Sequence, residues 1–325
     1  MSQINRLSSL IYGVLLVFLS TILFVANGQI QDPILDVAMV TQDINNMAQE
    51  EVEEVTLSQA NETPSEEDQT LLSNALAHSK SGDIEKAKTV YRDILSHNLN
   101  HQVASVNLAV LSLKHGNCKQ AMNAIDHAVN VSRGTRLAKA LSMQGYCLSK
   151  AEKFEEAMTA FKRSIEFRPN HALTWKRLAK AQEKSGLSSD VVLTTLHRAL
   201  ALDPKNSSLR ISVAKFQNEK LDFRGSINTL KAKYSGLKTQ YGAQILLAWN
   251  YLELEKWNNA QKHIKLAAKL DKSKLHLLSA MELYSKKQYE DSINHIKQTE
   301  KLNGTYRYLL GLNYQSRNWK KTAHK

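Results

Sequence analysis

The stretch LSMQGYCLSKAEKFEEAMTAFKRSIEFRP, residues 141–169, contains the pattern that decides the fold. Its first half has three residues at helical spacing on one face: Leu141, Gly145 and Leu148. Its second half places Ala157 and Phe161 one helical turn apart, and Pro169 ends that helix because proline lacks a backbone donor. Because Gly145 has no side chain, we expect Ala157 to approach it closely and Phe161 to fill the space beyond. The stretch therefore predicts two helices that pack against each other.

The same pattern recurs along the chain about every 34 residues. A small or β-branched residue marks each copy, at Ala87, Ala121, Ala157, Val192, Ser226, Ala260, Ser292 and Ala323. In all but the last copy a larger apolar residue follows four positions later, at Tyr91, Ile125, Phe161, Leu196, Leu230, Ile264 and Ile296. A period of this length means that one helix–turn–helix unit is copied along the chain. The sequence therefore predicts an all-α stack of about seven to eight units over residues 68–325, with the last unit incomplete.

These repeated residues resemble the tetratricopeptide repeat family, whose signature is W-x2-L-G-x2-Y, then A-x3-F, then P. The residues quoted above carry the match in the third unit, and other units repeat it at Trp175, Leu178, Leu247, Tyr251, Leu310 and Tyr314. The resemblance implies a solenoid that winds as a right-handed superhelix, in which the first helix of each unit lines an inner groove. It also implies a surface for partner proteins rather than a closed catalytic pocket.

Two units depart from the signature. Ser226 and Ser292 occupy the position where alanine is usual, and neither unit has the closing proline. The last two steps of the repeat also shorten to 32 and 31 residues. We therefore expect less regular helix packing in this part of the chain.

The charge of the chain is divided unequally along its length. Before Lys80 the only basic side chain is Arg6, whereas eleven acidic side chains lie between Asp32 and Asp68. The remaining residues hold 42 of the 43 Lys and Arg but only 20 of the 31 Asp and Glu. Residues 27–67 are therefore expected to be a flexible acidic linker, and the repeats a basic body.

The N-terminus contains an uncharged apolar run, LIYGVLLVFLSTILFVA, at residues 10–26. We expect a single-pass membrane anchor, preceded by a cytoplasmic head at residues 1–9. The alternative is a secretory signal cleaved after Gly28, because Ala26 and Gly28 form the small-x-small pair that signal peptidase accepts. Either interpretation sends the repeats out of the cytoplasm. In a Gram-negative bacterium they would lie in the periplasm, on an inner-membrane anchor or secreted after cleavage.

Residues between the signature positions of the first helices are the candidates for partner binding. In the middle units they form a basic set: Lys139, Tyr146, Lys150, Lys176, Lys180, Lys184 and Lys215. In the later units they form an apolar set: Ile245, Trp249, Leu252, Leu277, Met281 and Tyr284. The basic set predicts capture of an anionic ligand, and its alternative is an ordinary solvated face. The apolar set predicts docking of a partner helix, and its alternative is packing between units.

Cysteine and motif content exclude several kinds of site. Cys118 and Cys147 have no metal-type spacing, so we expect no metal site and no cofactor. Neighbouring antiparallel helices would bring the two sulfurs together in an oxidising compartment, although two buried apolar cysteines are the favoured alternative. The sequence contains no phosphate loop, no G-x-S-x-G and no H-E-x-x-H, so we do not expect an enzyme. Nucleic acid is not an expected partner, because the N-terminus directs the repeats out of the cytoplasm.

The sequence therefore favours a membrane-anchored or secreted adaptor that binds protein partners in a cell-envelope assembly. The first alternative is a protein of an export system that binds an anionic polysaccharide, or another anionic ligand, in the basic groove. The second alternative is that the repeats form the N-terminal part of a longer enzyme or porin.

Overall fold

The computed structural model describes residues 65–231, 235–271 and 275–297, together with Leu309, Leu312, Asn313 and Ser316. Within these residues the chain is all-α, with fourteen helices, one short 3-10 helix at Ser235–Thr239, and no strand. The predicted head at residues 1–9, the apolar run at 10–26 and nearly all of the predicted linker at 27–67 lie outside the described residues.

The helices follow one another with short connections. Their bounds are α1 Glu66–Ser81, α2 Ile84–His97, α3 Gln102–Lys114, α4 Cys118–Val131, α5 Gly134–Lys150, α6 Phe154–Phe167, α7 Ala172–Lys184, α8 Ser189–Leu202, α9 Ser207–Glu219, α10 Phe223–Lys231, α11 Tyr241–Glu253, α12 Trp257–Leu270, α13 Leu275–Ser285 and α14 Tyr289–Lys297. The first helix begins just before the predicted start of the repeats. There the Ser65 hydroxyl accepts a hydrogen bond from the Asp68 backbone N–H at 3.0 Å and caps the helix.

The fourteen helices form seven consecutive pairs, and each pair is one predicted repeat. The first helix of every pair contacts its own second helix, as in α5–α6 and α11–α12. The described helices belong to two compact units, α1–α10 in one and α11–α14 in the other. Within each unit the second helix of a pair also contacts the first helix of the next pair, as in α6–α7 and α12–α13. The predicted helix–turn–helix repeats of a tetratricopeptide-type fold are therefore confirmed.

In six of the seven helix pairs, one residue of the turn between the two helices has a left-handed backbone conformation. Gly82 has φ 89°, and its N–H donates to the carbonyls of His78 and Ser79, which would otherwise lack partners at the helix end. Non-glycine residues adopt the same region in four later pairs, at Glu152, Leu221, Glu255 and Lys287. The turn geometry is therefore maintained even where the residue is not glycine.

The residues that mark the repeat form the core of each pair. All seven small markers in the described helices are at most 1% exposed, from Ala87 to Ser292. The seven larger residues that follow them four positions later are at most 3% exposed. The eighth marker, Ala323, lies outside the described residues. Burial of these apolar side chains at every pair is the main force that holds the repeats together.

Gly145 is needed because an aromatic ring occupies the space where its side chain would be. A Cβ atom at this position would lie 2.7 Å from Cε1 of Phe161, and its three nearest atoms all belong to that ring. The predicted role of Phe161 in filling the space beside Gly145 is therefore confirmed. Phe161 is fully buried, so its ring has no room to move away.

The serines that replace alanine in the fifth and seventh repeats are accommodated by hydrogen bonds. The Ser226 hydroxyl donates to the carbonyl of Ala214 at 2.8 Å, and the Ser292 hydroxyl donates to that of Ala280 at 2.9 Å. In each case the acceptor lies twelve residues earlier, on the first helix of the same pair. A buried hydroxyl with a partner does not carry the penalty of an unsatisfied polar group. The two serines are therefore buried in the core without leaving a hydroxyl unsatisfied.

Substitution of Gly145 by valine should destabilise the fold by about 2 kcal/mol, because the new side chain overlaps the Phe161 ring. Urea unfolding followed by circular dichroism measures the loss. The same substitution in a Phe161→Leu background should cost less, because the smaller side chain leaves space. Equal costs in the two backgrounds would contradict the assigned contact.

Candidate functional site

Polar contacts between equivalent positions join the first helices of successive repeats. The Arg136 guanidinium Nε donates to Gln102 Oε1 at 3.2 Å, and their separation is 34 residues, one repeat. The Arg177 guanidinium donates to the Ser142 hydroxyl at 3.2 Å, across 35 residues. Because these contacts lie side by side, α3, α5, α7 and α9 form one continuous surface. We call it the first-helix face.

Positive charge is concentrated on the middle of the first-helix face. Helix α5 has three basic side chains and no acidic one, and α7 has four basic and one acidic. Their paired second helices differ, since α6 has two basic and three acidic side chains and α8 has one of each. The excess of positive charge in the third and fourth repeats therefore lies on their first helices and not on their second helices.

The lysines predicted from the sequence are located on three helices of this face. Lys139 and Lys150 lie on α5, the stripe of Lys176, Lys180 and Lys184 on α7, and Lys215 on α9. Lys150, Lys180 and Lys184 are exposed, whereas the other three are half-buried. The Lys176 ammonium donates to the Ser208 hydroxyl on α9 at 3.0 Å. The structure thus brings the basic set together on adjacent helices, and its role in partner binding stays a prediction.

One carboxylate, Glu183, lies among these lysines. Its two oxygens are each 3.2 Å from an ammonium group, Oε1 from Lys215 and Oε2 from Lys180. Lys215 also approaches the carboxylate of Glu219, at 3.8 Å. Burial raises the pKa of the Glu183 carboxyl, but the ammonium groups of Lys215 and Lys180 outweigh burial and hold that pKa below its ordinary value. Glu183 is therefore ionised at neutral pH and neutralises part of the basic set.

Tyr146 adds an aromatic surface beside the lysines. The Arg177 guanidinium lies 5.0 Å from the centre of its ring, and the Lys150 ammonium lies 5.6 Å away. Both distances are within the range of cation–π attraction. Tyr146 and Lys150 were predicted from the sequence, but Arg177 and Glu183 were missed, since their partners are one repeat distant along the chain.

The expectation that the apolar set forms an accessible groove is wrong for five of its six members. These side chains are at most 6% exposed in the unit of α11–α14: Ile245, Leu252, Leu277, Met281 and Tyr284. Tyr284, for example, meets the Trp257 ring edge-on at 5.9 Å and shares a hydrogen bond with Ser316 at 3.4 Å. Helix α12 contacts both α11 and α13, the two first helices that carry this set. Trp249 alone is half-buried, and its role stays a prediction.

The two cysteines form a disulfide between the second and third repeats. Cys118 is the first residue of α4, and Cys147 lies in the last turn of α5. Their Cα atoms are 5.2 Å apart, within the range that a disulfide spans. The favoured alternative of two separate buried thiols therefore does not describe this structure. The bond joins two helices of different repeats, so it restrains the interface between those repeats.

Metal sites and membrane spans are both absent from the described residues. No group of three or more His, Cys, Asp or Glu side chains has the arrangement of a metal site in the described part of the chain. Across those same residues, no helix is both long enough and apolar enough to cross a bilayer. The apolar run at residues 10–26 lies outside them.

Comparison with known proteins agrees with the fold. Residues 138–171, which span most of α5 and all of α6, match the tetratricopeptide repeat family model. PilF of Pseudomonas aeruginosa superimposes with a TM-score of 0.53 and 16% identity, over 62% of this chain and 91% of that one. YrrB, a tetratricopeptide repeat protein with an unusual peptide-binding site, superimposes with a TM-score of 0.51 and 16% identity, over 61% of this chain and 97% of that one. Comparison with curated protein sequences gives no match.

A tetratricopeptide repeat protein from Parabacteroides merdae covers more of the chain, with a TM-score of 0.51 and 13% identity over 76% of this chain and 98% of that one. Identities this low show a shared fold alone. The chain therefore has the fold of tetratricopeptide repeat proteins, and its residues 138–171 match the sequence model of that family.

Replacement of Lys215 by methionine should raise the pKa of Glu183, because burial then acts against one ammonium group instead of two. Carbon-detected NMR titration of the Glu183 carboxyl measures the shift. Because the folded pKa is depressed, Glu183 stabilises the fold above its unfolded pKa, and this contribution is lost as pH falls through the folded pKa. Lys184→Met is the control, and an equal shift in both variants would contradict the assignment.

Reduction of the disulfide should lower the free energy of unfolding of the unit of α1–α10 by about 3.6 kcal/mol, from the chain entropy of a loop near 30 residues. Urea unfolding with and without dithiothreitol measures the change. The Cys118→Ala, Cys147→Ala double variant should be insensitive to the reductant. A wild-type midpoint that does not move on reduction would show that the bond is absent.

Proposed function

We propose that this chain is a non-enzymatic scaffold that binds an acidic segment of a partner protein on its first-helix face. The observation that carries the proposal is the excess of basic side chains on α5 and α7, opposite the nearly neutral layer of α6 and α8. A charge excess confined to one surface attracts a partner of opposite charge to that surface. Tetratricopeptide repeat proteins bind protein partners, and this supports a protein as the class of partner.

The spacing of the lysines on α7 favours an extended segment. Lys176, Lys180 and Lys184 are four residues apart, which on a helix is about 6 Å per step. In an extended chain, alternate side chains point the same way and are about 6.6 Å apart. A segment with an acidic residue at every second position would therefore place one carboxylate near each lysine. Tyr146, beside them, offers a partly exposed ring for an apolar side chain of the same segment.

Similarity to a peptide-binding relative supports this kind of ligand. YrrB has the same fold and is described as having an unusual peptide-binding site. At 16% identity the likeness concerns the fold, so it supports a peptide as a class of ligand and not any particular residue.

The location that we propose is outside the cytoplasm, as part of a cell-envelope assembly. The apolar run at residues 10–26 would anchor the chain in the inner membrane, or direct its export if it is cleaved near Gly28. The Cys118–Cys147 disulfide supports this location, because such bonds persist in oxidising compartments and are rare in the cytosol.

The experiment that tests the site measures peptide binding to the full chain in detergent by fluorescence anisotropy. The probe is a fluorescein-labelled peptide in which glutamate and serine alternate, with four of each, and we call it the alternating peptide. The Lys176→Glu, Lys180→Glu, Lys184→Glu triple variant should bind it at least about tenfold more weakly, since three attractive pairs become repulsive. Binding should also weaken as salt is added, because exposed charges are screened.

The control is a second triple variant, with the same change in net charge, whose substitutions lie on second helices. Lys119, Lys162 and Arg163 are exposed on α4 and α6, and their replacement by glutamate should change the affinity by less than about threefold. Equal losses in the two triple variants would overturn the assignment of the site. A linear anionic polysaccharide, polygalacturonate, is tested in parallel. If it binds more tightly than the peptide, the proposed ligand becomes a polysaccharide instead of a protein.

A further inference from the structure

The carboxylate of Glu183 occupies the position that a ligand carboxylate would take on the first-helix face. It lies between the ammonium groups of Lys180, on its own helix, and Lys215, on the first helix of the next repeat, at 3.2 Å from each. Two lysines from adjacent helices that converge on one carboxylate form an arrangement suited to a carboxylate ligand. In the protein without a ligand, the carboxylate of Glu183 itself occupies the position between the two lysines.

We propose that Glu183 is an internal competitor, which an acidic side chain of the partner displaces when it binds Lys180 and Lys215. This inference rests on the proposed function, because it concerns the same surface and the same class of ligand. It identifies a residue that lowers the affinity for weakly acidic segments and thereby sets the selectivity of the site. A ligand that displaces Glu183 must itself supply a carboxylate at that position.

The location of Glu183 allows displacement. It is the second-last residue of α7, and a quarter of its side chain is exposed, as is nearly half of that of Lys180. Rotation about its side-chain bonds would move the carboxylate towards solvent without moving the helix. Its departure leaves Lys215 still facing Glu219 at 3.8 Å, so the half-buried ammonium is not left without a counter-charge.

The two possible roles of Glu183, internal competitor and structural ion-pair partner, predict opposite changes in ligand affinity when its carboxylate is removed. If Glu183 only orients Lys215, its removal would loosen that lysine and weaken binding. If Glu183 competes, its removal frees two ammonium groups and strengthens binding, because an internal carboxylate is present at a high effective concentration. The direction of the change in affinity therefore separates the two roles.

The experiment compares the full chain with Glu183→Gln, which keeps the shape of the side chain and removes its charge. The probe is the labelled alternating peptide, measured by anisotropy at low and at physiological salt. The variant should bind about three- to tenfold more tightly than wild type, as expected for the loss of two partly exposed ion pairs. Glu166→Gln, an exposed carboxylate on α6, has the same change in net charge and should alter affinity by less than about twofold.

A second peptide of the same composition, with all its glutamates before all its serines, tests the selectivity. This block peptide should gain more from Glu183→Gln than the alternating peptide, because its clustered carboxylates are less able to displace the native side chain. Unchanged or weaker binding of the alternating peptide by the variant would overturn the inference while leaving the proposed function intact. If neither wild type nor variant binds either peptide, both the inference and the proposed function fail. Melting curves of the variant check that it is folded.

Discussion

The contact on which the rest of the structure depends is that between a small residue on each second helix and the first helix of the same pair. From Ala87 to Ser292 this residue is buried, and the larger residue four positions later fills the adjoining space. Such contacts fix how closely two helices approach, because protein interiors are densely packed. The same packing of a small residue recurs in every described pair. Within the unit of α1–α10, hydrogen bonds between successive first helices hold α3, α5, α7 and α9 side by side and in register.

That register is what gives the first-helix face its chemistry. Lys176 reaches Ser208, and Glu183 reaches Lys215, in both cases across 32 residues. Neither contact would exist if one repeat slipped by a helical turn relative to the next. Because the apolar core is built from other positions, the exposed residues of this face can vary at little cost to folding. The apolar pattern thus determines the fold, and the polar residues between its positions determine what the surface binds.

The fold could be predicted from the sequence because its cause is local: the spacing of Ala157 and Phe161 is visible within one unit. The accessible surface could not, since exposure depends on the neighbouring helices. Leu277, for example, was predicted for the groove and is buried, whereas Lys176 is half-buried. Glu183 was missed for a related reason, because its partner Lys215 lies in the next repeat. The two residues are 32 apart, two fewer than the 34-residue step between the markers of their repeats, so the repeat period alone does not identify the pair.

The position of the disulfide in the stack determines which interface between repeats it stabilises. In repeat proteins each unit contacts only its neighbours, so the stack can open separately at each interface. The Cys118–Cys147 bond closes the interface between the second and third repeats and is attached to α5, the first of the helices that carry the lysines. It therefore opposes the spread of fraying from α1 into α5. The consequence is that the register between α5, α7 and α9, which positions Glu183 between two lysines, is protected from the N-terminal side by a covalent bond.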